Sequence, residues 1–397
     1  MAGPRESGGL FMLVPEKCIG MLRSRLNFAL LAVLPQKIKS PGDFMQQPIH
    51  GPDQPEMQDR IFTSEFKPAW WLKNRHAQTI YSSLPLSRAP KPSLYSEDLE
   101  LPDGDLTVVD WMAGGPDAAS GAPILVILHG LEGSSESTYA RMLLQAAGDH
   151  GWRAAVLHFR DCGDYRNRLP RRYHAGETND IRFFLESLRA GGHDGPMVAA
   201  GFSLGGNVLL KYLGENGVST PLDAAVAISV PLSLHDSAKA LSDGFSNVYQ
   251  RHLIKKMKKA IRRKFDQYTA AFDWHRTMAA KTFAEFDDAV TAPLHGFSGK
   301  DEYYDRCSSC GYLDSIGVPT LIINALDDPF MTPAAIPSPV GLPECLQLEI
   351  STHGGHIGFI DGGYPWRPRY YLPDRIINFL DDRIAAAGEH GRALPGL

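Results

Sequence analysis

From Ser96 onward the chain alternates short, β-branched apolar runs with longer stretches that place apolar residues every three or four positions. That is the pattern of parallel strands joined by crossover helices. Leu106-Thr107-Val108-Val109-Asp110-Trp111 predicts an early strand, and Ile124-Leu125-Val126-Ile127-Leu128 is apolar at every position, hence a strand covered on both faces. His129 to Ser135 reads as a loop. A helix through Tyr139, Leu143 and Ala147 follows, and Gly151 ends it before the strand Ala154 to Phe159. Asp180 to Leu188 predicts a helix, Met197 to Ala200 a strand, Gly205 to Leu213 a helix, and Ala224 to Ile228 another strand.

After Pro231 the rhythm stops for about eighty residues and resumes at Thr320-Leu321-Ile322-Ile323-Asn324. Compact domains rarely leave such a stretch structureless, so an inserted helical cap is expected over about 232–316. Within it Leu253, Met257, Ile261 and Phe265 recur every four residues, while Lys255, Lys256, Lys258, Lys259, Arg262, Arg263 and Lys264 fill the other faces, which predicts one amphipathic basic helix. Its cations read first as a solvated face over a core stripe, and second as a surface for transient, peripheral contact with an anionic membrane. Leu346 to Ile350 predicts the last strand and Ile376 to Ile384 a closing helix. Residues 1–60 show no sustained period and read as a disordered or loosely attached extension, which leaves 61–390 as one α/β domain. Inside the extension, Arg23 and Arg25 precede the apolar run Phe28 to Leu34 and imitate a signal peptide. The run is far shorter than the ~20 residues that span a bilayer, and it reads as a short leader.

Composition narrows the classes. The 397 residues, 43% hydrophobic and 21% charged, suit a globular chain with a large core. A formal charge of -5 offers no global attraction for phosphate backbones, so nucleic acid is not expected as a partner. Five scattered cysteines make no disulfide framework and suit a reducing compartment, the cytoplasm. Cys307 and Cys310 form one C-x-x-C pair without a second to complete four ligands; neither a metal nor a cofactor is expected.

Candidate chemistry centres on Gly201-Phe202-Ser203-Leu204-Gly205, a G-x-S-x-G match between a predicted strand and a predicted helix. Gly-Phe-Ser recurs at 244–246 and 296–298, but there it lacks both the second glycine and the preceding strand. Serine needs a base to remove its proton, and the base needs a third group to orient it, in the chain order Ser, acid, His for this kind of turn. Asp327 and Asp328 follow the strand ending at Asn324, with Asp328 favoured because a short loop, Pro329 to Pro333, comes directly after it. His353 and His356 follow the last strand, with His356 favoured because it lies beyond the Gly354-Gly355 turn. An oxyanion needs two backbone N–H donors, for which Leu204, after the nucleophile, and Leu131, after His129-Gly130, are the candidates; His129 itself reads as structural.

These motifs, together with Phe66-Lys67-Pro68-Ala69-Trp70-Trp71-Leu72-Lys73-Asn74-Arg75-His76-Ala77-Gln78-Thr79, His158-Phe159-Arg160-Asp161-Cys162-Gly163 and His174-Ala175-Gly176-Glu177-Thr178, resemble the YheT-like branch of the α/β-hydrolase superfamily from about Phe66 to Leu380. The resemblance implies the α/β-hydrolase fold, a mostly parallel sheet with helices on both faces and an inserted cap. It also implies a Ser203, Asp328, His356 triad acting on acyl esters, short- to medium-chain or lipid-like. An acyltransferase on the same fold and a non-catalytic ligand-binding relative are the alternatives, since fold alone does not dictate function.

Overall fold

The computed structural model describes residues 60–84, 89–117, 120–338 and 340–392. The expected extension and its leader-like run lie, but for Arg60, outside the described residues.

The strands are β1 (Ile61–Thr63), β2 (Leu94–Glu100), β3 (Leu106–Met112), β4 (Ile124–Leu128), β5 (Arg153–Leu157), β6 (Met197–Phe202), β7 (Ala224–Ile228), β8 (Thr320–Ala325) and β9 (Leu346–Ser351). They form one nine-stranded sheet in the order β1-β9-β8-β7-β6-β4-β5-β3-β2. Every pairing from β1 through β5 is parallel, and β3 and β2 join antiparallel at the far edge. Two of these strands carried too little pattern to be expected. β1 has three residues, and β2 alternates weakly because most of it is exposed. Leu346 to Ile350 is not the last strand either, since β10 (Ile360–Tyr364) and β11 (Arg367–Tyr370) pair in a separate antiparallel hairpin.

The two-faced burial of β4 divides the core. Ile124, Val126 and Leu128 face one apolar cluster and Leu125 and Ile127 the other, as the two-residue side-chain period of a strand requires. On the first face lie α3 (Asn179–Ala190) and α4 (Leu204–Asn216), through Ile181, Phe184, Val208 and Leu209. On the second lie α2 (Thr138–Asp149) and the C-terminal helix α11 (Tyr371–Arg392), through Leu143, Leu144, Ile376 and Leu380. Each fully buried side chain of this size stabilises the fold by about 1.5–3 kcal/mol. A short helix α1 (Arg75–Tyr81), which the periodicity did not reveal, starts at Asn74, whose side chain accepts the His76 and Ala77 N–H groups.

Between β7 and β8 the chain leaves the sheet and forms α5 (Leu234–Ser242), α6 (Ser246–Lys264), α7 (Trp274–Ala279), α8 (Phe283–Phe286), α9 (Ala292–Leu294) and α10 (Lys300–Cys307). A π-helical turn, Asp287–Thr291, joins α8 to α9. Leu241, Ile254, Met257, Ile261, Phe283 and Phe286 pack together as the core of this insertion. The basic helix is α6; Phe265, the last of its four-residue repeats, is its C-cap rather than part of the helix.

Candidate active site

The turn from β6 into α4 is shaped by backbone contacts that exclude side chains. A Cβ at Gly201 would come within 2.6 Å of the Gly205 carbonyl oxygen, and one at Gly205 within 2.4 Å of the Leu128 oxygen. Both distances are shorter than atoms tolerate, so glycine is required at each. Ser203 itself sits at φ 52°, a conformation rare outside glycine, and its N–H donates to the Ile228 carbonyl at 2.8 Å. The hydroxyl therefore stands at the carboxyl edge of the sheet. Leu204 is the first residue of α4, so its N–H lies among the amides that have no partner within the helix.

Three sequence-predicted residues meet at this edge. His356 Nε2 lies 2.9 Å from Ser203 Oγ, and its Nδ1 lies 2.8 Å from Asp328 Oδ2. Asp328 and His356 are both buried, at 2% and 8% exposure, so the pair is shielded from competing water. Asp328 Oδ1 accepts the Phe330 N–H at 2.8 Å, which fixes the carboxylate, and the Phe330 ring lies flat on the imidazole at 3.9 Å between centroids. The neighbouring candidates are elsewhere. Asp327 Oδ1 accepts the Gly355 N–H at 2.9 Å, and burial raises its pKa above the usual carboxylate range. His353 is exposed and bonds Thr352.

The loop bearing His356 is held from the side of α1. Thr79 Oγ1 accepts the His356 N–H at 2.9 Å and donates to the Arg75 carbonyl at 2.8 Å. Gln78 bonds both backbone groups of Ile360. A Cβ at Gly355 would meet the Arg75 oxygen at 2.5 Å, so this contact also needs glycine, at φ 58°. The segment 66–79 carried no role in the sequence, and because Gln78-Thr79 follow the polar run Lys73 to His76, no local signal marked them for one.

The loop bearing Leu131 is clamped on both sides. Gly130 N–H donates to the Tyr139 hydroxyl at 2.8 Å, and Glu132 N–H to the Tyr173 hydroxyl at 2.8 Å. Arg172 links the Glu132 carboxylate, at 2.7 Å, to Asp161, at 2.7 Å. A Cβ at Gly130 would touch that of Ser203 at 3.4 Å, so the loop runs directly against the nucleophile candidate. His129 accepts the Phe159 N–H at Nε2, 3.1 Å, leaving Nδ1 to donate to the Gly130 carbonyl at 2.7 Å. Burial, then the field of His158, pushes this imidazole down to about 3 and keeps it neutral.

A pocket opens beside Ser203, with Leu131 and Leu204 in its wall. The insertion supplies an apolar lining that includes Leu241, Leu253, Met257, Ile261, Phe283 and Phe286. Polar lining comes from Arg172, His174, Asp287, Thr291, Tyr304 and His295. Burial pushes His174 down to about 3 and His295 down to about 2, and lifts the Asp287 carboxyl up to about 6. Near neutral pH both imidazoles are therefore uncharged. Among the described residues no group of three or more metal-binding side chains occurs, and no helix is long and apolar enough to cross a membrane.

Residues 123–363 match the family model of the alpha/beta hydrolase fold. The Escherichia coli strain K12 protein named "Putative esterase YheT" is 40% identical over 326 residues, 82% of this chain and 95% of that one. Phospholipase ABHD3 of Mus musculus is 28% identical over 343 residues, 85% of this chain and 82% of its own. Monoacylglycerol lipase of Saccharomyces cerevisiae is 30% identical over 278 residues, covering 67% and 61%.

Proposed function

Because the chain belongs to the YheT-like branch of the α/β-hydrolase superfamily, a group of esterase- and lipase-type hydrolases, we propose that it cleaves carboxylic esters with Ser203 as nucleophile, His356 as base and Asp328 as the orienting acid. The unbroken chain of hydrogen bonds from Ser203 through His356 to Asp328, at the wall of an apolar cavity, carries this reading.

Ser203 Oγ attacks the ester carbonyl carbon as His356 Nε2 takes the hydroxyl proton, and the carbonyl π pair moves onto oxygen. The resulting oxyanion accepts hydrogen bonds from the Leu131 and Leu204 N–H groups. Collapse breaks the bond to the alkoxy oxygen, which leaves as the alcohol with the proton from His356. Water then attacks the acyl-serine while His356 takes its proton; collapse releases the carboxylic acid and returns the proton to Ser203. Throughout, Asp328 accepts from Nδ1, favouring the tautomer in which Nε2 is free to act as base and stabilising the imidazolium that forms.

The cavity's apolar lining suits a short- to medium-chain or lipid-like acyl group. Ser203→Ala is expected to abolish hydrolysis of p-nitrophenyl esters, a loss of about 10⁶-fold, with an unchanged thermal melt. A fluorophosphonate should label the parent at Ser203 and leave the variant unlabelled. A folded variant that kept turnover within tenfold of the parent would overturn the assignment.

A further inference from the structure

Helix α6 sorts its cations by side. Lys258 bonds the carbonyls of Met278 and Ala280, Arg263 bonds Asp161 at 2.9 Å, and Lys264 bonds Asn167 at 2.6 Å, so these three tie the helix to its surroundings. Arg251, Lys255, Lys256, Lys259 and Arg262 are exposed, and among the described residues their side chains have neither an ion pair nor a hydrogen bond. At 3.6 residues per turn those five fall within an arc of about 140°. No Asp or Glu lies anywhere on the helix. Glu285, the acid whose field reaches Lys258, caps the Lys281 and Thr282 N–H groups.

The opposite arc of the same helix, Leu253, Met257 and Ile261, lines the cavity beside Ser203. The helix thus separates an apolar chamber from an uncompensated positive surface, in a protein whose overall charge is -5. Apolar groups flank the positive stripe. Phe245 and Val248, 40% and 53% exposed, stand at its N-terminal end, and Tyr268, 86% exposed, lies beyond its C-terminal end. Cations in a stripe with apolar and aromatic residues at its ends suit an interface of anionic headgroups over acyl chains.

We propose that the outer face of α6 seats the protein on an anionic lipid surface, with Phe245, Val248 and Tyr268 at headgroup depth. The choice of lipid over another polyanion rests on the ester-hydrolase reading, because the helix that would touch the lipid also walls the cavity for the acyl chain. Seating itself needs no reaction at Ser203.

The full chain is sedimented with vesicles of phosphatidylcholine alone and with phosphatidylglycerol added at about one part in three. Binding should require the anionic lipid and fall as salt rises. Each cation at such a surface contributes about fivefold to partitioning, so Arg251→Glu, Lys255→Glu and Lys259→Glu combined should weaken binding by a hundredfold or more. Lys255→Gln with Lys259→Gln gives a milder pair, expected to lose about 25-fold, should the reversals impair folding. Ser203→Ala should bind as the parent does, so loss of turnover and loss of seating are read separately. Three results would overturn the seat: no preference for anionic vesicles, parental binding by a folded charge variant, or equal affinity for duplex DNA at matched phosphate concentration.

Discussion

The sheet edge and the helical insertion meet at one cavity but are held in different ways. At the edge, close backbone contacts at Gly201, Gly205 and Gly355 leave no room for a side chain, and Ser203, Ile357 and Phe359 take positive φ values. Its candidate residues are fixed through their own N–H groups, Ser203 to the Ile228 carbonyl and His356 to the Thr79 hydroxyl. In the insertion, helices gather around apolar side chains, and bonds such as Phe283 N–H to Gln250 and Tyr304 to Asp287 tie them together. The two touch through Leu131 and Phe330, which pack on the insertion's core, and through the sequence of rings Tyr249, Phe330 and His356. On the proposed reading, geometry at the edge governs whether bonds break, and the lining of the insertion governs what enters. Changes at one should leave the other's readout largely intact.

The largest separation is expected within the edge itself, between adjacent aspartates. Asp328→Asn keeps an oxygen for the Phe330 N–H but turns its NH2 toward His356 Nδ1, which reverses the tautomer, and kcat should fall by about 10⁴-fold at unchanged stability. Asp327→Asn keeps an oxygen for the Gly355 N–H and should lose less than tenfold. Steady-state kinetics on one soluble ester compare the two. Equal losses would mean that the acid works by holding the loop rather than the imidazole.

Legibility followed the same division. The meeting of Ser203, Asp328 and His356 was readable because the proposed chemistry demands a fixed chain order, and because glycine marks each point where backbones approach too closely for a Cβ. The buried strands were readable because a parallel sheet covered on both faces must be apolar at every position. The clamps were not. Thr79 acts on His356 from 277 positions away, and Arg172 acts on Glu132 from 40, and neither spacing leaves a local pattern. β1 and the hairpin β10–β11 are too short, or too exposed, to show a period. For α6 the sequence showed two kinds of surface, but it could not tell which cations turn inward to Asp161 and Asn167.

In the insertion, Met257→Trp should change selectivity more than rate. Met257 is buried and lines the cavity, so a larger ring there removes space from the acyl chain. Each methylene buried is worth about 0.8 kcal/mol, or about fourfold, and the ratio of kcat/KM for octanoate over acetate esters should fall at least tenfold. Parallel losses on both esters would mean that the chain lies elsewhere.

The smallest effect tests whether the insertion tolerates a charge that the edge never meets. The Asp287 carboxyl is buried, accepts hydrogen bonds from Thr291 and Tyr304, and is lifted by burial to about 6 from an ordinary 3.8. An acid raised in the folded state contributes stability that is full below pH 3.8 and is lost as pH rises through about 6. A rise of this size corresponds to at most about 3 kcal/mol. The buried imidazoles of His129, His174 and His295 act in the opposite sense. Their pKa values are pushed down, so their stability is present above about 6.5 and is lost as pH falls. The parent's melting curve therefore mixes both trends, whereas Asp287→Asn removes one of them. The variant's Tm minus the parent's should be more positive at pH 7.5 than at pH 5, by a few degrees. An unchanged difference across that window would mean that the carboxylate ionises in the fold without cost, and that solvent reaches it through the cavity.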